Sequence, residues 1–199
     1  MARAYSLVIF AGLLLCATLS FAGGPVPNVP IYIRIDNGWK GLYAVGDDYA
    51  EYSFRGSEVK LQDPYHILLK PSVGMMVTFA DKQQFASSND LLSDHLQWEL
   101  AYWGKNASRV ESAPRDDLSG MRSDLKVTEL RLYNSQGARL NVYLIALACP
   151  QGVLAFAVSP ADGSIDPQIR EIAASFKLVH RRLDADEVKR LSLEERGKP

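Results

Sequence analysis

LKVTELRLYNSQGARLNVYLIALACPQGVLAFAVS, residues 125–159, decides the class of this fold. Its apolar side chains recur with period two in Leu125–Tyr133, Arg139–Cys149 and Val153–Ser159, the spacing of strands. Asn134–Gly137 and Pro150–Gly152 supply the turn residues between them. Connections this short join antiparallel neighbours, so the stretch predicts a meander. The middle strand, LNVYLIALA, is apolar at nearly every position and calls for cover on both faces. Lys126, Thr128, Glu129 and Arg131 place the first strand nearer an edge.

On either side of the meander the period changes. Upstream, NDLLSDHLQWELAYWG (89–104) predicts a helix, with Asn89 as its N-cap and Asp90 at the positive end of the dipole. Leu92, Leu96, Leu100 and Trp103 form one apolar stripe, and Gly104 is the stop. Downstream, Asp166 caps a second helix and Pro167 takes its first position. Ile169, Ile172, Ala173 and Phe176 share a face there, and Phe176–Val179 can return along the sheet. Farther upstream, Ile31–Ile35, Gly41–Val45, Tyr49–Arg55, Tyr65–Leu69 and Gly74–Ala80 read as strands. Asp36-Asn37-Gly38 reads as a turn. Helices packed on an antiparallel sheet make an α+β fold, an α-β-α sandwich.

The termini read differently. MARAYSLVIFAGLLLCATLSFA has a basic start, an apolar middle and a small-x-small exit at Ser20-Phe21-Ala22, the layout of a signal peptide. Its apolar run is shorter than the ~20 residues of a membrane span. Leucines at 13–15 before Cys16 disfavour lipid anchoring, so cleavage between Ala22 and Gly23 would remove Cys16. The expected organisation is then a leader at 1–22, an extended Pro-rich arm at 23–30, one domain at 31–180, and a charged tail at 181–199 that lacks a full apolar stripe. The mature chain would be soluble, exported to the periplasm or the exterior, and without a membrane span.

Arg3 is the one charged residue of the leader, so 21 of the 22 basic residues remain against 23 acidic, a net of −2. That balance does not suggest a nucleic-acid partner. Cys149 alone remains after cleavage, which excludes a disulfide framework and reads as a small buried hydrophobe.

The order of elements from Tyr65 to Val179 resembles the PsbP-like superfamily. The resemblance rests on the strand GMMVTFADK, the long helix at 89–104, the Leu118-Ser-Gly120 turn, the meander, and the closing IREIAASFKLV. It implies an exported sandwich that binds other proteins as an accessory subunit, usually without catalysis. No functional residue carries over from it.

The residues themselves yield no reaction. GxSxG, CxxC, HExxH and a Gly-rich phosphate loop are all missing, and no catalytic residue, metal ligand or cofactor site is assigned. His95 and Glu99 are one helical turn apart, but two ligands fall short of a zinc site, and they read as a solvated helix edge. His66 reads as structural and His180 as solvated. Asp162-Gly-Ser-Ile-Asp166 places Ala173 where a calcium loop needs its bidentate Glu. Asn106-Ala-Ser108 fits a glycosylation sequon. Trp98 and Tyr102 share a helix face away from the leucine stripe, and Trp39 and Tyr43 sit in an aromatic-rich N-terminal region. These four are the candidate protein interface. The function this supports is a non-enzymatic accessory domain that binds another envelope protein. A carrier of a small apolar ligand is the alternative, and a weak hydrolase or metal-dependent enzyme a third reading.

Overall fold

The computed structural model describes residues 29–35, 38–55, 59–61, 65–69, 73–85, 90–120, 122–160 and 166–196. The leader with Cys16, most of the arm, Asp36-Asn37, Asn89, residues 162–165 and the last three residues lie outside these. Among the described residues no helix is long and apolar enough to cross a membrane.

Strands β1 (Ile31–Ile35), β2 (Gly38–Val45), β3 (Asp48–Arg55), β4 (Val59–Leu61), β5 (His66–Leu69) and β6 (Val73–Asp81) come first. A 3-10 turn (Lys82–Phe85) leads to α1 (Leu91–Gly104). Then follow β7 (Arg109–Pro114), the short α2 (Asp116–Ser119), β8 (Leu125–Tyr133), β9 (Arg139–Cys149) and β10 (Gly152–Pro160). The chain closes on α3 (Asp166–Ser175), β11 (Lys177–Val179) and α4 (Ala185–Arg196). The fold is α+β, with helices on antiparallel sheet.

The sheets are two. One has the order β1-β2-β3-β11, the other β4-β5-β6-β10-β9-β8-β7, and every pairing is antiparallel. β8 to β10 form the meander, and β7, unread in the sequence, takes the edge outside β8. Four antiparallel pairings separate β6 from β7, so these two run parallel. A parallel connection needs a long crossover, and α1 supplies it.

Alternation along the strands assigns the layers. Tyr43, Val45, Ala50, Tyr52 and Phe54 of the smaller sheet face Met75, Val77, Ile145, Leu147, Leu154 and Phe156 of the larger one. α3 closes this core with Ile169, Ile172, Ala173 and the following Phe176. Val142, Leu144, Ala146, Val153 and Ala155 face the other way, toward α1. Leu42, Ala44 and Tyr49 turn to the outer side of the smaller sheet, where Leu183, Val188 and Leu191 cover them. The layers are therefore α1, large sheet, small sheet, α4.

The last of these bears on the charged tail, which from its sequence reads as a solvated helix or as partly disordered: residues 185–196 are a helix, and it is packed rather than solvated. Val188 and Leu191 of the helix, with Leu183 just before it, suffice because Ile33, Leu42, Ala44 and Tyr49 beneath them are apolar. Glu187 sits 8% exposed among Tyr49, Arg181 and Arg190. Arg190 first, and Tyr49 and Arg181 with it, hold its carboxyl below the usual range.

At the centre three rings, from β3, β10 and the end of α3, meet edge to face. Tyr52 of β3 and Phe156 of β10 lie 4.4 Å apart, and Phe156 and Phe176 lie 5.0 Å apart. Gly41, opposite Tyr52 in register, makes room for the phenol: a Cβ there would stand 2.1 Å from the ring. Ser53 N–H donates to Ser175 Oγ at 2.8 Å, tying α3 to β3.

Phe156→Ala should lower the unfolding free energy by about 3–5 kcal/mol, read as a drop in the urea midpoint at unchanged slope. Leu193→Ala, on the exposed flank of α4, should stay within about 0.5 kcal/mol of the parent.

Candidate functional site

The face of α1 toward the sheet is unusual for its polar centre. Asp90, rather than Asn89, is the N-cap: its Oδ1 accepts the Ser93 N–H at 3.1 Å. Lys126 Nζ reaches Ser93 Oγ at 3.0 Å and Asp90 Oδ2 at 3.4 Å, anchoring this end to β8. From there the helix buries Leu92, His95 and Glu99. His95 is 0% exposed and Glu99 3%, which overturns their reading as a solvated edge. At 100° per residue, Glu99 lies within about 20° of Leu92 on the helix. Leu96, Leu100 and Trp103 form one half-buried flank, and Trp98 and Tyr102 form the other. The sheet beneath is alanine-rich, with Ala80, Ala146 and Ala155 in the cluster that α1 covers.

Glu99 has one firm partner: Trp103 Nε1–H donates to its Oε2 at 2.9 Å. His95 Nε2 stands 3.6 Å from Glu99 Oε1, beyond hydrogen-bond length, and neither imidazole nitrogen has a hydrogen-bond partner. Burial holds the imidazole pKa down at about 4, so His95 is neutral at pH 7. Burial pushes the Glu99 carboxyl up, and the Trp103 bond works against that rise. A buried polar atom without a partner costs about 1–3 kcal/mol, so this pair is not there for stability. Among the described residues no group of three His, Cys, Asp or Glu side chains is placed to hold a metal ion.

Above the pair lies a row of rings. His95 stacks on Trp98 at 6.1 Å, Trp98 on Tyr102 at 6.0 Å with planes 13° apart, and Tyr102 meets Trp103 edge-on at 5.6 Å. Trp98 and Tyr102 are 44% and 46% exposed. The row runs between two clefts. One, of about 420 Å³, is lined by Tyr43, Tyr65, Phe79, Gln84 and Trp98 among others. The other, of about 320 Å³, lies by Trp103, Leu132, Tyr133 and the exposed Leu140.

The four aromatics singled out from the sequence part company here. Trp98 and Tyr102 are together and open to solvent. Tyr43 is 6% exposed, stacks on Phe79 at 6.1 Å, and serves as inner wall of the larger cleft rather than as surface. Trp39 is half-buried against the core under Arg34, whose guanidinium lies 5.2 Å from the ring. Tyr43 and Trp39 face β-sheet neighbours because their strand is covered on both sides, which a local pattern does not show. Tyr65 and Phe79 were missed: no sequence spacing brings residues of β2, β6 and α1 to one cleft.

The remaining residues fall elsewhere. His180 Nδ1 lies 3.4 Å from Asp48 at the surface, and His66 is exposed on β5. Asn106 is exposed beside the smaller cleft. Cys149 is buried and free, and burial lifts its thiol to about 11. It should leave Ellman's reagent unreacted in the native chain and react fully in denaturant.

His95 also sets a pH dependence. Its pKa is lower folded than unfolded, so its contribution to stability is complete above 6.5 and is lost as pH falls toward 4. At pH 5 the loss is about 2 kcal/mol. Glu99 acts in the opposite sense, its contribution fading as pH rises above the ordinary carboxylate range. His95→Leu should therefore be more stable than the parent at pH 5 by a larger margin than at pH 7, and Glu99→Gln should fall more steeply than the parent between these values. Urea titrations at both pH values read each effect.

The chain matches no family model, no curated protein and no solved structure, so its own side chains carry the case for what this site does.

Proposed function

We propose that this chain is an exported, non-enzymatic binding domain that docks onto another envelope protein through Trp98 and Tyr102. The observation that carries the reading is two large rings, stacked on each other and nearly half exposed, on a helix fixed to the sheet at both ends. Tyr and Trp dominate interface hot spots. Rings already ordered by mutual stacking lose little freedom on binding. Export is supported by the leader-like residues 1–22, and the accessory role by the PsbP-like order of elements from Tyr65 to Val179.

The two clefts beside the row favour a second reading, a carrier of a small apolar ligand. Their volumes fall within the range of small-molecule sites, about 300–1,000 Å³. That reading predicts a ligand that co-purifies and a lower melting temperature once it is removed.

The test for docking is capture of crosslinked partners from the native envelope fraction, with the full chain as bait. Trp98→Ala and Tyr102→Ala should each weaken capture of the dominant partner about tenfold or more while native circular dichroism persists. Undiminished capture by the double variant would remove this face as the docking surface.

A further inference from the structure

The larger cleft contains a feature that rings alone do not explain. Four consecutive residues of one strand line it: Val77, Thr78, Phe79 and Ala80. A strand lines a cleft in that way when its backbone edge borders it. β10 pairs with β6 along its whole length, from Val73 to Asp81. β5 pairs with it from Val73 to Met76, and among the described residues the last bond on that side is Val77 N–H to Tyr65 O at 2.9 Å. Backbone groups in a strand alternate between its two edges. Val77 points toward β5, Thr78 toward β10, and Phe79 again toward the β5 side, where β5 has ended. The Phe79 N–H and C=O therefore face the cleft.

The walls suit an extended chain. Tyr43 and Phe79 stand on the inter-sheet side of this edge, with Trp98 and Gln84 among the lining residues that complete the cleft. Successive side chains of an added strand would alternate between the two sides of β6. Among the described residues no charged side chain lines the cleft, so a charged residue entering it would lose its water without gaining a partner there. The edge also lies within a cleft flanked by Trp98 and Tyr65. Two copies of the chain could not bring two such edges together, whereas one thin strand can enter.

We infer that the β6 edge at Thr78–Ala80 receives an extended, uncharged, apolar or aromatic segment of the partner protein, which continues the larger sheet where β5 stops. This rests on the protein-binding reading above and adds its mode, strand addition, and the chemistry of the segment.

Amide exchange in the full chain, read by NMR, tests it. The probe is the blocked hexapeptide acetyl-Thr-Val-Thr-Tyr-Thr-Val-amide. Two control peptides carry N-methyl groups on one or the other set of alternate residues, keeping the side chains but removing the donors of one edge. Phe79 should exchange at least about tenfold faster than Val77 in the free chain. The probe, on the order of 1 mM, should slow it about tenfold or more, and at least one methylated control should fail to do so. A Phe79 amide already as slow as that of Val77 would show the edge to be closed, and would overturn the inference. So would unchanged exchange with the probe, or equal protection by both controls. Docking stands or falls separately: capture that depends on Trp98 and Tyr102 without Phe79 protection keeps the docking reading and removes strand addition.

Discussion

The contact of Tyr52, Phe156 and Phe176 is the constraint on which the rest of this structure depends. Each ring belongs to a different part of the chain, and each is fully buried. Aromatic rings of this size bury about 150–250 Å² apiece, so no one of the three segments could cover its own share. The small sheet is held to the large one through them. α3 is positioned because Phe176 must reach the other two, and β11 then follows α3 onto the edge of β3. Gly41 is a consequence of the same contact, since any side chain there would occupy the place of the Tyr52 ring.

Once the inner faces of both sheets are committed to that core, the outer faces need cover of their own. α4 covers the small sheet with Val188 and Leu191, helped by Leu183 just before it, and with a buried Glu187 neutralised by two arginines. α1 covers the large sheet, and does so with a polar pair at its centre. A helix placed only for stability would carry leucine where His95 and Glu99 stand. The pair instead lies beneath the exposed Trp98–Tyr102 stack, with His95 packed on the inner side of Trp98. A site that breaks a local packing rule is where function is most expected. The buried polar pair and the exposed rings lie on successive turns of the same helix.

Much of this was legible in the residues. Period-two runs with short turns named β8, β9 and β10 and placed them next to one another. The spacing of Ile169, Ile172, Ala173 and Phe176 named the face of α3 that is buried. Trp98 and Tyr102 were separable from the leucine stripe by helical angle alone. Other elements were not legible, each for a reason. RVESAP, now β7, has too few apolar residues to show a period, because an edge strand is half solvated and keeps its charges. α4 lacks a wide stripe because Val188 and Leu191, with Leu183 before the helix, are enough to cover the apolar face beneath. His95 and Glu99 looked solvated because polarity is the usual sign of a wet face, and these two are exceptions.

By itself the sequence determined the α+β class, the adjacency of the meander strands and which side chains share a face on each element. These follow from periods of 2 and 3.6, which are properties of the backbone and need no partner. What lies against each face was decided only by the tertiary structure. Leu42 and Tyr43 are neighbours of similar apolar character, yet one meets α4 and the other lines a cleft with Phe79 and Trp98. Burial is a relation between distant segments, and local pattern records only that a face must be covered. The second sheet, the packing of α4 and the buried imidazole all arise from that relation.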